Sequence, residues 1–189
     1  MKTFFDDYQA FTRTTAVYPE VLSLPYLALG LCDEAGELAE KVAAYVAYTS
    51  DKGHPPRGWD DQVLAEAGDV IWYVARITDH MDHPLSDVVT RANYKGDATL
   101  VGIVIATLVN AARVAGRCKK MLRDGDTWSE DQKVAAERVI TESLFEVVGG
   151  VESLARALGG TLVGVMKDNQ QKLADRLSRN VIKGDGDNR

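Results

Sequence analysis

The chain has 189 residues, 46% of them apolar and 26% charged, with a net charge of −6. That length suits one domain, or two small helical units sharing a core, and the apolar content excludes a disordered chain. The acidic balance argues against binding a nucleic acid polymer, whose phosphates would repel it.

The opening Met1-Lys2-Thr3-Phe4-Phe5-Asp6-Asp7 turns acidic at once and does not read as a signal peptide. Strand signals are scarce, and Ala, Leu, Glu, Lys and Arg dominate the long segments, so the expected fold is all-α, a helical bundle. Pro25 predicts the start of a first helix reaching about Tyr48. A breaker-rich loop from Thr49 to Gly58 follows. Asp60 or Asp61 can cap a second helix running to about Asp79. His83-Pro84 marks a break before a short helix to about Asn93.

After the turn at Lys95-Gly96-Asp97, a third long helix is expected over 98–123, ended by Asp124-Gly125-Asp126. Ser129 with Gln132 makes a capping-box pattern for a fourth, reaching about Leu158. Gly159-Gly160 breaks it, and a last helix covers about Thr161 to Arg179, followed by a polar, glycine-rich tail. Cys32 and Cys118 fall in helical patterns and read as reduced thiols. The most apolar stretch, Leu100 to Val109, is about half the length that spans a bilayer, so no membrane partner and a cytoplasmic location are expected.

Two helices carry nearly the same tetrapeptide: Glu34-Ala35-Gly36-Glu37 and Glu66-Ala67-Gly68-Asp69. Carboxylates at i and i+3 project from one helix face, and the Ala-Gly pair leaves room for close approach. Leu27, Leu31, Glu34, Leu38, Val42 and Tyr45 form one stripe; Val63, Glu66, Val70, Tyr73 and Ile77 form another. Glu34 and Glu66 therefore interrupt stripes that should face the core, where an unpaired charge is costly. No basic residue on either stripe presents itself as a partner. Two carboxylates ~4 Å apart repel by about 4 kcal/mol at an effective dielectric of 20, and a divalent cation removes that repulsion. Oxygen-only ligands favour Mg²⁺ or Mn²⁺. A di-iron bundle fits poorly, because neither pair ends in Glu-x-x-His.

At these residues the sequence resembles the MazG-like all-α nucleoside triphosphate pyrophosphohydrolases, whose relatives include dimeric dUTPases and dCTP pyrophosphatases. Glu-x-x-Glu and Glu-x-x-Asp are filled by Glu34, Glu37, Glu66 and Asp69, with matching flanks at Gly30-Leu31-Cys32-Asp33 and Val70-Ile71-Trp72-Tyr73. Asn169-Gln170-Gln171-Lys172-Leu173 looks like the family's Asn-x-x-Lys-Leu segment, and the tail Gly184-Asp185-Gly186-Asp187-Asn188-Arg189 like that of many members. The resemblance implies a MazG-type bundle in which the four acids hold Mg²⁺ or Mn²⁺ and a (d)NTP is cleaved to (d)NMP and pyrophosphate. It implies Glu37 as the acid taking a water's proton, and Tyr73, Lys172 and either Asn93 or Asn169 as substrate contacts. It further implies a homo-oligomer, a dimer or tetramer, working in the host cytoplasm if phage-encoded. Phage members include purine-directed enzymes, so (d)GTP is the preferred substrate, with dUTP or dCTP the runner-up. A non-catalytic helical protein binding metal or nucleotide is the rival of a different class.

The Asn-Lys segment of ordinary members soon follows the second acidic helix, whereas two long helices intervene here. They read as a worn second copy: Asn110 lies 76 positions after Glu34, Glu146 lies 77 after Asp69, and Asn169 lies 76 after Asn93. One domain over 1–189 would then hold a metal-binding half, 20–95, and a degenerate half, 98–180. Asn110, Arg113 and Ser143 replace three acids in the second half, which should hold no metal. His80 and His83 read as exposed helix-end residues, Trp72 as core, Trp59 as either core or base-stacking, and Lys119, Lys120 and Arg123 as dipole-complementing cations.

Overall fold

A computed structural model of the chain describes residues 3–183. It is all-α, with seven α-helices and no strand among those residues: α1 Phe4–Thr14, α2 Ser23–Lys52, α3 Trp59–His80, α4 Leu85–Thr90, α5 Leu100–Asp124, α6 Glu130–Ala157 and α7 Leu162–Ser178. The glycine-rich tail from Gly184 lies outside the described residues.

Helix α2 starts two residues before Pro25, fed by a 3₁₀ turn over Glu20–Leu22. Pro25 is tolerated there because the first turn's N–H groups have no intrahelical acceptor in any case. The helix outlasts Tyr48 because Thr49 and Ser50 donate their hydroxyls to the carbonyls of Tyr45 and Val46, and it ends at Gly53, φ 78°. Neither Asp60 nor Asp61 caps α3; that place belongs to Gly58, φ 77°. The capping box at Ser129 and Gln132 forms as expected. Helix α1 is an element the sequence reading missed. Its signal is a second capping box, Thr3 with Asp6.

Helices α2, α3, α6 and α5 form a closed ring of four around the core, each packed on the next. Leu27, Leu31 and Leu38 of α2 meet Ile71 and Ile77 of α3, Ile103 of α5 and Ile140 and Leu144 of α6, all within one buried cluster. Each such side chain contributes about 1.5–3 kcal/mol by leaving water. Helix α7 packs on α3, and α1 lies against α3, α4 and α7. Asp79 at the end of α3 ties α1 down, with Arg13 at 2.5 Å and Arg76 at 2.7 Å. Burial works to raise the Asp79 pKa, but the two guanidinium groups outweigh it and hold the carboxyl below its ordinary range.

Helix α5 is apolar over a longer stretch than Leu100 to Val109. An 18-residue window of it reaches a mean hydropathy of 1.5, so by length and composition it is long and apolar enough to cross a membrane. Here its buried positions, Ile103, Thr107, Ala111, Val114 and Cys118 among them, face the ring. Cys32 and Cys118 are free thiols.

Gly149 on α6 sits where the chain after α4 crosses. A Cβ there would lie 2.7 Å from the Asn93 carbonyl carbon and 2.8 Å from the Tyr94 backbone nitrogen. Backbone cannot yield cheaply, so Gly149→Ala should cost about 1–3 kcal/mol. A urea denaturation midpoint equal to that of the unsubstituted protein would contradict this packing.

Candidate metal centre

Helices α2 and α3 pair as a hairpin and bring their acids to one place. Glu34, Glu37 and Glu66 each offer a carboxylate oxygen within 4.8 Å of the other two. Glu66 is only 3% exposed, Glu34 is half-buried and Glu37 is exposed, so the cluster grades from core to solvent. Burial pushes the Glu34 carboxyl up to about 8, and the neighbouring Asp69, Glu37 and Glu66 charges add to that.

Asp69 does not join this triad. It is held from α7, where Asn169 donates its amide to Oδ1 at 2.8 Å and Lys172 pairs with Oδ2. Tyr8 of α1 in turn donates its hydroxyl to Asn169 Oδ1 at 2.8 Å. The close approach of α7 depends on Gly68, where a Cβ would stand 2.9 Å from Asn169 Cβ. Gly36, its counterpart in the first tetrapeptide, has open space instead. Tyr8→Phe removes the donor that orients Asn169, and is expected to destabilise the fold by about 1–3 kcal/mol in guanidinium titration. A value near zero would mean that the chain Tyr8–Asn169–Asp69 carries no stability.

No basic residue on the two stripes was expected as a partner, and the partners come from off the stripes. Lys41 places Nζ 3.5 Å from Glu66 Oε1, and Lys172 reaches Asp69 from another helix. Lys41 was legible in principle, because positions 34, 37 and 41 share one helix face. Lys172 needed α7 to be placed first. With two lysines beside four acids the local charge is only partly balanced, and three hard oxygen donors on one side fit a divalent cation of the Mg²⁺ or Mn²⁺ kind.

Tyr73 stands one turn beyond Asp69, with its ring against Gly30 and 6.5 Å from the Tyr26 ring. Burial raises its phenol pKa, helped by Tyr26, Glu34 and Asp69. Tyr26, Leu29, Gly30, Cys32, Asp33 and Tyr73 line a cleft of about 590 Å³ beside the carboxylates. Trp72 is half-buried and donates to Thr15 Oγ1 at 2.8 Å, and Trp59 packs edge-on against Tyr45 and Tyr48. His80 and His83 are exposed. Of the two candidate asparagines, Asn169 is buried against Asp69, while Asn93 is exposed and lines a different cleft beside α6.

Fold and site define an all-helical protein with a carboxylate cluster between two paired helices. Over 93 residues the chain is 39% identical to the "Gene 37 protein" of Mycobacterium phage L5, a match covering 46% of this chain and 79% of that protein. The chain belongs to the family of that phage protein. No protein-family model and no solved structure matches it.

Proposed function

We propose that the protein is a divalent-metal-dependent nucleoside triphosphate pyrophosphohydrolase of the MazG-like kind, releasing a nucleoside monophosphate and pyrophosphate. The observation that carries this reading is the convergence of Glu34, Glu37 and Glu66 within 4.8 Å, with Glu66 buried on a helix face that is otherwise apolar. Lys41 offsets the Glu66 charge in part, and a divalent cation sharing the oxygens would relieve the repulsion that remains among the three carboxylates.

In this reading Glu34, Glu37 and Glu66 hold the ion, with Asp69 as a fourth acid at its edge. A bound Mg²⁺ or Mn²⁺ supplies Lewis-acid neutralisation of phosphate oxygens and lowers the pKa of a water. Glu37, the exposed member, would be the carboxylate placed to accept a proton from an attacking water. Lys172, on the open side of Asp69, would offer its ammonium to phosphate oxygens, whereas Asn169 is buried and acts by holding Asp69 in place. Tyr26 and Tyr73 offer aromatic surface in the adjoining cleft to a base or sugar. A (d)GTP preference follows from the resemblance alone, and so do the homo-oligomer and the host cytoplasm.

The deciding experiment incubates the protein with each of the eight common (d)NTPs and Mn²⁺ or Mg²⁺, measuring pyrophosphate and inorganic phosphate separately. Monophosphate with equimolar pyrophosphate from at least one substrate is expected. If none is turned over while manganese still binds, the rival reading as a metal-binding scaffold takes its place.

A further inference from the structure

The helix pair without the acidic tetrapeptides has a cleft of its own. Buried positions of α2 recur on α5 76 residues later: Leu27 with Ile103, Leu31 with Thr107, Leu38 with Val114 and Val42 with Cys118. Those of α3 recur on α6 77 later: Val63 with Ile140, Val70 with Val147, Val74 with Val151 and Ile77 with Leu154. At the same offsets Glu34, Glu37, Glu66 and Asp69 fall on Asn110, Arg113, Ser143 and Glu146. All four of these line one cleft of about 480 Å³, together with Arg91 and Asn93. The equivalence was drawn from spacing, and the cleft is an independent observation of where those side chains meet.

The chemistry of this cleft differs from the first. Asn110 and Ser143 are buried and turned to their own helix, donating to the carbonyls of Ala106 at 2.9 Å and Val139 at 2.8 Å. Neither is a ligand for a hard cation in that state. Where the first cleft has Glu37, this one has Arg113, exposed, with one donor fixed on Asn110 Oδ1 at 3.0 Å. Arg91, also exposed, adds a second guanidinium. Two carboxylates complete the wall: Glu142, which has Arg138 3.9 Å away, and Glu146.

We propose that this second cleft binds a nucleoside monophosphate without any metal ion. A guanidinium supplies in fixed form the positive charge that a cation brings to a phosphate, and its fork matches two phosphate oxygens. Glu146 accepts from a sugar hydroxyl or a base amino group, which selects a nucleotide over bare phosphate. The volume lies within the range of small-molecule sites. The choice of a nucleoside monophosphate rests on the proposed function, because this cleft is the positional counterpart of the triphosphate site.

The test is calorimetric titration of the full-length protein in EDTA with GMP, AMP, CMP and UMP, and separately with pyrophosphate and guanosine. At least one monophosphate should bind at one per chain, with pyrophosphate and guanosine each at least tenfold weaker. Arg113→Gln should weaken that binding at least tenfold while lowering the melting temperature by no more than a few degrees, the cost of its bond to Asn110. Glu37→Gln should leave it intact. The proposal is overturned by no binding of any monophosphate in EDTA, by equal affinity in Arg113→Gln, or by loss in Glu37→Gln. Each of these leaves the manganese-dependent assay of the first cleft untouched, so the two readings fail separately.

Discussion

Glu66→Gln is expected to lower triphosphate cleavage about 10³-fold, on the order of 4 kcal/mol of lost transition-state stabilisation, and to erase the rise in melting temperature that Mn²⁺ produces. Glu66 is the most enclosed of the three converging acids, and glutamine keeps its shape while removing the charge that a cation needs. Lys41 would lose its 3.5 Å partner, but it is partly exposed and can hydrate, so the fold should survive. Circular dichroism guards against misfolding. The metal-centre reading is sunk if Glu66→Gln keeps the manganese-induced rise at full size, whatever its activity.

The second large effect is on the metal-free protein and runs with pH. Burial, then the charges of Asp69, Glu37 and Glu66, raises the Glu34 carboxyl from 4.5 to about 8. The folded state therefore holds a proton that the unfolded state has released between those two values. Unfolding then lowers the number of bound protons, so stability falls as pH rises from about 4.5 to 8 and levels off above. Without metal, melting at pH 8.5 should lie below melting at pH 5.5. Glu34→Gln should abolish most of that slope and stabilise the metal-free protein at pH 8.5 by about 2 kcal/mol, a value discounted for partial solvation. Mn²⁺ at about 100 times its Kd should restore about 2.7 kcal/mol to the unsubstituted protein and nothing to Glu34→Gln. A flat pH profile in EDTA, with Glu34→Gln no more stable than its parent, would show that the carboxylates do not strain one another.

The opposite sign is expected at low pH. Burial works to raise the Asp6 pKa, but its hydrogen bonds with Ser86 and Thr3 outweigh that and lower the carboxyl to about 2. Its stabilising contribution is complete above about pH 4 and disappears as pH falls toward 2. Acid loss of α1 packing is thus separable from the alkaline loss at the cluster.

The helical class, the long helices and the acidic tetrapeptides could be read without coordinates. Each depends on local periodicity: Leu31, Glu34 and Leu38 share a face because 3.6 residues make a turn, whatever else the chain does. The Ser129 capping box is likewise local. Helix α1 was passed over although Thr3 and Asp6 marked its start, because at eleven residues it is short beside the long helices that dominate the chain. What spacing could not decide was which acids converge. Asp69 repeats the register of Glu37, yet α7 folds back on Gly68 and takes it with Asn169 and Lys172, a hundred residues away along the chain. Partners at that separation are set by helix packing across the bundle, and no helical period encodes them. The same holds for Asn93 and Asn169, equivalent by spacing but delivered to different clefts because one follows α4 onto α6 and the other rides α7 onto α3.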